Sequence, residues 1–127
     1  GYCVTIRKHP ADRREWNISG TKLSKNELVI DFKDNFIVLC NETALILEAI
    51  VSNKLVYKCS FSKFFDNYGY FKNNLIIKEY SNPHDLKIDI DNEFVAYDKS
   101  KLNYYTGDLL HYKSQINKIN NLISLHK

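Results

Sequence analysis

The segment 36–57 constrains the fold of this chain more than any other stretch. Phe36-Ile37-Val38-Leu39-Cys40 is a continuous apolar run, the pattern of a strand covered on both faces rather than one. Asn41-Glu42-Thr43 follows, and then Leu45, Ile46, Ala49 and Ile50 recur at the spacing of one helical face. Asn41 is a natural N-cap, and Glu42 would complement the dipole in the first turn, so a helix is expected over 42–52. Asn53 is a plausible left-handed stop, and Leu55-Val56-Tyr57 reads as the next strand. A strand, a helix and a strand this close together form a βαβ unit, expected to be parallel and right-handed.

The remaining segments extend the same pattern. Residues 2–8 are rich in β-formers and run into His9-Pro10, where proline should end a strand. Residues 11–26 are polar around Trp16 and Ile18, as in a short helix or loop. Leu28-Val29-Ile30 and Leu75-Ile76-Ile77 read as two further short strands. Between them, 60–72 is aromatic-rich and irregular. Asn82-Pro83-His84-Asp85 is a strong helix start, with an Asn cap, Pro at the first position and an acid in the first turn. Over 113–125, Ile116, Ile119, Leu122 and Ile123 predict a terminal amphipathic helix. The expectation is an α/β, Rossmann-like three-layer domain with a mostly parallel sheet of four to five strands and a C-terminal helix.

Composition narrows the function classes. A length of 127 residues suits one core, and four Gly and two Pro leave no flexible linker. No run approaches the roughly 18 apolar residues of a membrane span. The chain lacks Met and starts at Gly1, so it reads as a piece of something longer. Its net charge of +3 is spread out, which argues against a duplex nucleic-acid surface. The three arginines, Arg7, Arg13 and Arg14, do cluster beside Lys8 and His9, which suggests either an anion site or a solvated turn. Cys3, Cys40 and Cys59 lie in apolar runs without CxxC spacing. They are expected to be core thiols of a reducing compartment rather than zinc ligands.

In open α/β sheets, ligands sit beyond the carboxyl ends of the strands. That draws attention to Lys8-His9-Pro10 and to Cys40-Asn41-Glu42-Thr43. A histidine at a strand end can donate to a phosphate or protonate a leaving group near neutral pH. Asn41 and Thr43 place polar side chains at the expected helix start, where anions bind. Neither GxxxxGK[ST] nor GxGxxG occurs, which argues against a P-loop or a dinucleotide fingerprint.

Lys8-His9-Pro10 after a strand, the Asn41-Glu42-Thr43-Ala44-Leu45 turn into a helix, and Asn82-Pro83-His84-Asp85-Leu86 together resemble the C-terminal half of GT-B-fold glycosyltransferases. Among these, the chain is most similar to bacterial sialyltransferases with His-Pro and Ser/Thr motifs, and also to CDP-glycerol and capsule-polymer transferases. The resemblance implies a donor nucleotide-binding half, 1–127, of a larger two-domain enzyme of surface-polysaccharide synthesis. It implies a nucleotide-sugar donor, CMP-linked, and no cofactor. The residues themselves require no metal, since no Asp-x-Asp pair falls at a strand end near His9 and Asp89-Ile90-Asp91 lies in the late, non-strand region.

Carried over, the donor's phosphate or nucleotide would meet His9, with Pro10 and Lys8 beside it, and Thr43, with Asn41 beside it. Where the family has a second hydroxyl, Glu42 stands instead and puts a carboxylate near an anion. The general base and the acceptor-binding domain would lie outside this chain. The resemblance further implies a cytoplasmic enzyme, with room for peripheral contact with the inner membrane and for a homodimer, and no nucleic-acid partner. Two alternatives remain. One is a glycerol- or sugar-phosphate polymer transferase domain. The other is a non-catalytic α/β interaction domain presenting Phe61, Phe64, Phe65, Tyr68, Tyr70 and Phe71.

Overall fold

The structure is a computed structural model that describes residues 2–9, 11–15 and 17–106, together with 117 and 119. Pro10, Trp16 and nearly all of the expected terminal helix fall outside the described residues. The chain divides into two compact units, Gly1–Asn35 and Phe36–Lys127.

In the first unit, strand β1 (Val4–Ile6) pairs in parallel with β2 (Thr21–Leu23), in the register Val4 opposite Thr21. Helix α1 (Leu28–Asp34) follows. The expected strand at 28–30 is therefore helix: a three-residue apolar run carries no period of its own, and polar contacts decide its conformation. Asp31, buried within α1, accepts from Ser24 Oγ at 2.6 Å and from Arg7 Nη1 at 3.0 Å. The Ser24 bond, then Arg7, holds its carboxyl below the usual carboxylate range against desolvation. Val29 and Ile30 point largely to solvent. Polar contacts thus do much of the work of joining α1 to the strands in this unit.

The second unit contains the βαβ element. Strand β3 (Ile37–Cys40), helix α2 (Leu45–Val51) and strand β4 (Leu55–Cys59) follow one another, and β3 and β4 pair in parallel with Ile37 opposite Leu55. Strand β5 (Glu79–Tyr80) adds to β4, also in parallel, giving the order β3-β4-β5. Asn53 takes φ +59° and closes α2, as expected of an Asn stop. Helix α3 (Pro83–Asp91) begins as its sequence predicts, with Asn82 Oδ1 accepting from the His84 amide at 2.8 Å. A 3-10 turn (Lys99–Lys101) and the short helix α4 (Asn103–Thr106) complete the described part.

The core lies around β4. Ile46, Ala49 and Ile50 of α2 are fully buried, and so is Tyr57. Tyr57 meets Tyr80 edge-on at 5.6 Å and donates to the Phe94 carbonyl at 2.7 Å. One hydroxyl bond thereby ties the strand to the chain leaving α3.

The protein is therefore α/β, with two small sheets of two and three parallel strands among the described residues, rather than one sheet of four to five. The strand expected at 75–77 is displaced to 79–80. Leu75 and Ile76 are fully buried, but Ile76 forms only an isolated antiparallel bridge to Tyr97. A strand that was not expected, β2, occupies part of the polar 11–26 stretch.

Candidate functional site

The residues expected to bind an anion divide between the two units. Lys8 and His9 belong to the first, and Asn41, Glu42 and Thr43 to the second.

His9 follows β1 and is exposed. Its Nδ1 accepts from the Ala11 amide at 3.0 Å, and its carbonyl accepts from the Asp12 amide at 2.9 Å, so the ring caps its own turn. That bond assigns the ring proton of the neutral form to Nε2. An open cleft of about 420 Å³, lined by residues that include Arg7, Lys8, His9, Ser24 and Lys25, lies beside it. The basic cluster is largely engaged internally. Arg14 grips Asp12 through Nε at 3.0 Å and Nη2 at 2.8 Å, Lys8 donates to the Arg14 carbonyl, and Arg7 is held by Asp31 and the Asn26 carbonyl. Arg13 is exposed, with no ion pair among the described residues.

At the carboxyl end of β3, helix α2 starts at Leu45, not at 42. Asn41 does not cap it, because its side chain is engaged elsewhere. Asn41 Oδ1 accepts from the Glu42 amide at 2.9 Å and from the Phe65 amide at 3.3 Å, while Nδ2 donates to the Lys63 carbonyl at 2.9 Å. Glu42 Oε2 accepts from the Tyr68 amide at 2.8 Å. The two side chains thus fasten the 60–72 segment to the end of the sheet. Thr43 Oγ1 accepts from the Leu45 amide at 3.3 Å, a bond that leaves its hydroxyl hydrogen available for donation. With only seven residues, α2 presents no long-helix anion site, so Thr43 is what the turn offers a ligand.

A cluster not anticipated from sequence lies within the second unit. Lys58, on the central strand β4, has a fully buried side chain. Its ammonium sits 2.9 Å from Glu79 Oε2 on β5 and 3.5 Å from Asp66 Oδ1 in the 60–72 segment. Register explains the first contact, since Lys58 stands directly opposite Glu79. Asp66 also accepts from the Phe71 and Lys72 amides, both at 3.0 Å. Desolvation is the largest single influence on Asp66 and would raise its pKa. The two amides and Lys58 together outweigh it and keep the carboxyl below its ordinary value.

Glu42 behaves in the opposite way. Desolvation pushes it up, the Tyr68 amide and Lys58 oppose the rise, and Asp66 and Glu79 add to it. Its Oε1 is sealed from solvent without a hydrogen-bond partner. A lysine inside the apolar run Leu55–Cys59 was the available signal, because a strand covered on both faces must bury it against an acid.

The cysteines are free, and Cys3 is exposed rather than in a core: the short β1 brings little apolar cover with it. Burial, then the neighbouring Cys59, pushes the Cys40 thiol up to about 12 against the pull of Lys58. Among the described residues no group of three or more His, Cys, Asp or Glu side chains is placed to hold a metal ion. No helix among them is long and apolar enough to cross a membrane.

Comparison of the chain with protein-family models, with curated proteins and with solved structures finds no match in any of the three.

Proposed function

We propose that this chain is the donor-binding domain of a GT-B glycosyltransferase, Rossmann-like in the arrangement of β3, α2, β4, β5 and α3. Its ligand in this reading is a pyrimidine nucleotide-sugar, CMP-linked as in the sialyltransferases it resembles, used in bacterial surface-polysaccharide synthesis. The observation that carries the reading is the parallel order β3-β4-β5, with the Asn41-Glu42-Thr43 turn at the carboxyl end of β3. That edge is where open α/β sheets receive ligands.

In this reading Thr43 donates its hydroxyl hydrogen to a donor phosphate oxygen. In the first unit, taken by itself, His9 offers a donor of its own at Nε2–H, its tautomer set by the Ala11 bond. Donors aimed at the departing phosphate stabilise the charge that develops there, which is the main source of rate in such a transfer. Glu42 is the feature least suited to an anion. Its desolvation favours the protonated form, and its Oε2 is turned to the Tyr68 amide. Acceptor binding and the general base come from a second domain in this reading, so the chain by itself binds the donor and turns nothing over.

Titration of the 15N-labelled protein with CMP, CDP and UDP tests the reading. Chemical-shift changes at Thr43 and His9, largest with CMP, are expected. Changes largest with CDP would favour the glycerol- or sugar-phosphate polymer transferase alternative. No change at either residue with any nucleotide overturns both.

A further inference from the structure

The side chains of the 60–72 segment divide by burial, and the two sets differ in chemistry. Its inner side chains are Phe64, lying over the Lys58 ammonium at 6.0 Å, Asp66, bonded to Lys58, and the fully buried Tyr70. Its outer side chains are Phe61, Phe65, Tyr68 and Phe71, which are 63%, 47%, 53% and 41% exposed. The amides of Phe65, Tyr68 and Phe71 are held by Asn41, Glu42 and Asp66 respectively. The segment is therefore anchored through its backbone while these rings remain in contact with solvent.

Charge is sorted in the same way. The only acid of the segment, Asp66, is turned inward onto Lys58 and two amides, whereas Lys63 and Lys72 are exposed. Lys63 Nζ also lies 5.4 Å from the centre of the Phe65 ring, which pairs a cation with an exposed aromatic.

Four exposed rings on one anchored segment are unusual for a surface that meets only water. Rings combined with exposed lysines, the one carboxylate of the segment being engaged by Lys58 and two amides, complement one kind of surface, that of an anionic bilayer. Aromatic side chains settle there at headgroup depth, and lysines meet the lipid phosphates. We propose that the 60–72 segment docks this protein on an anionic membrane surface, with Phe61, Phe65, Tyr68 and Phe71 entering the interfacial region and Lys63 and Lys72 contacting lipid phosphates. The inference requires no nucleotide and stands apart from the donor-binding reading.

Co-sedimentation of the full chain with phosphatidylglycerol-containing vesicles and with pure phosphatidylcholine vesicles tests it. Binding is expected to the anionic vesicles and to weaken as salt is raised. Phe61→Ser with Phe65→Ser should lower that affinity about tenfold or more, since apolar burial is lost. Lys63→Gln with Lys72→Gln should lower it about fivefold per lysine. Neither pair removes a backbone anchor, and an unchanged far-UV CD spectrum with an unchanged thermal midpoint confirms that each variant is folded. Failure to bind anionic vesicles overturns the proposal, as does equal binding by the parent and both folded variants. Loss of solvent exposure through self-association, or preferential capture of a single-stranded oligonucleotide over vesicles, overturns it in favour of those partners.

Discussion

Replacing Lys58 with Met removes the ammonium and keeps most of the side-chain volume. Its two partners then stay behind: Glu79 Oε2, previously 2.9 Å away, and Asp66 Oδ1, previously 3.5 Å away. Removing one member of a fully buried pair costs about 3–5 kcal/mol, because the surviving charge is stranded. Here the carboxylates retain 17% and 30% side-chain exposure, and Asp66 keeps its bonds to the Phe71 and Lys72 amides. The expected loss is therefore at the lower end, about 3 kcal/mol.

With a urea dependence of roughly 1–3 kcal/mol per molar, the midpoint should fall by about 1–3 M. Near-UV CD of the Tyr57–Tyr80 pair reports the transition in this unit. Adding Glu79→Gln to Lys58→Met should restore part of the loss, since the nearer of the two stranded charges is gone while Asp66 keeps its two amide bonds. A Lys58→Met variant within about 0.5 kcal/mol of the parent, or a double variant no better than the single one, would refute the stranded-charge argument.

Other perturbations probe the same unit. Glu42 has a folded-state pKa above its ordinary 4.5, so the native state holds this proton longer than the unfolded chain does. Its contribution to stability is thus present below that pH and declines as pH rises through the folded value. Glu42→Gln, which keeps an oxygen for the Tyr68 amide, should flatten that slope and leave the variant the more stable at pH 7, as read by thermal midpoints across pH. Tyr57→Phe orphans the Phe94 carbonyl and should cost about 1–3 kcal/mol in urea denaturation, with the Tyr57–Tyr80 ring contact retained. Iodoacetamide at neutral pH should modify Cys3 quickly and Cys40 slowly, which peptide mass mapping over time will show.

The sequence was most legible where local chemistry and tertiary packing agree. The apolar run of β3, the Leu45, Ile46, Ala49 and Ile50 face, the Asn53 stop and the Asn82-Pro83 start each act within a few residues, and each element is found in the structure, although Phe36 and Leu39 are half exposed and β3 is not covered on both faces. It was least legible where a distant partner decides. Asn41 reads as a cap until Lys63 and Phe65, more than twenty residues on, take its side chain, and α2 then begins later. Leu28-Val29-Ile30 reads as a strand until Asp31 is drawn to Ser24 and Arg7. The charged cluster was hidden for a similar reason. Lysine is ordinarily a solvated residue, and only the pairing of β4 with β5 reveals that position 58 faces Glu79.

The central claim is that the turn after β3 receives a donor nucleotide through Thr43, and calorimetric titration of CMP into the parent and into Thr43→Ala tests it most directly. Thr43→Ala should bind CMP more weakly by a factor of about 5–10, the worth of one hydrogen bond to a charged phosphate. Equal affinity in the two proteins, or no heat from either, would contradict it.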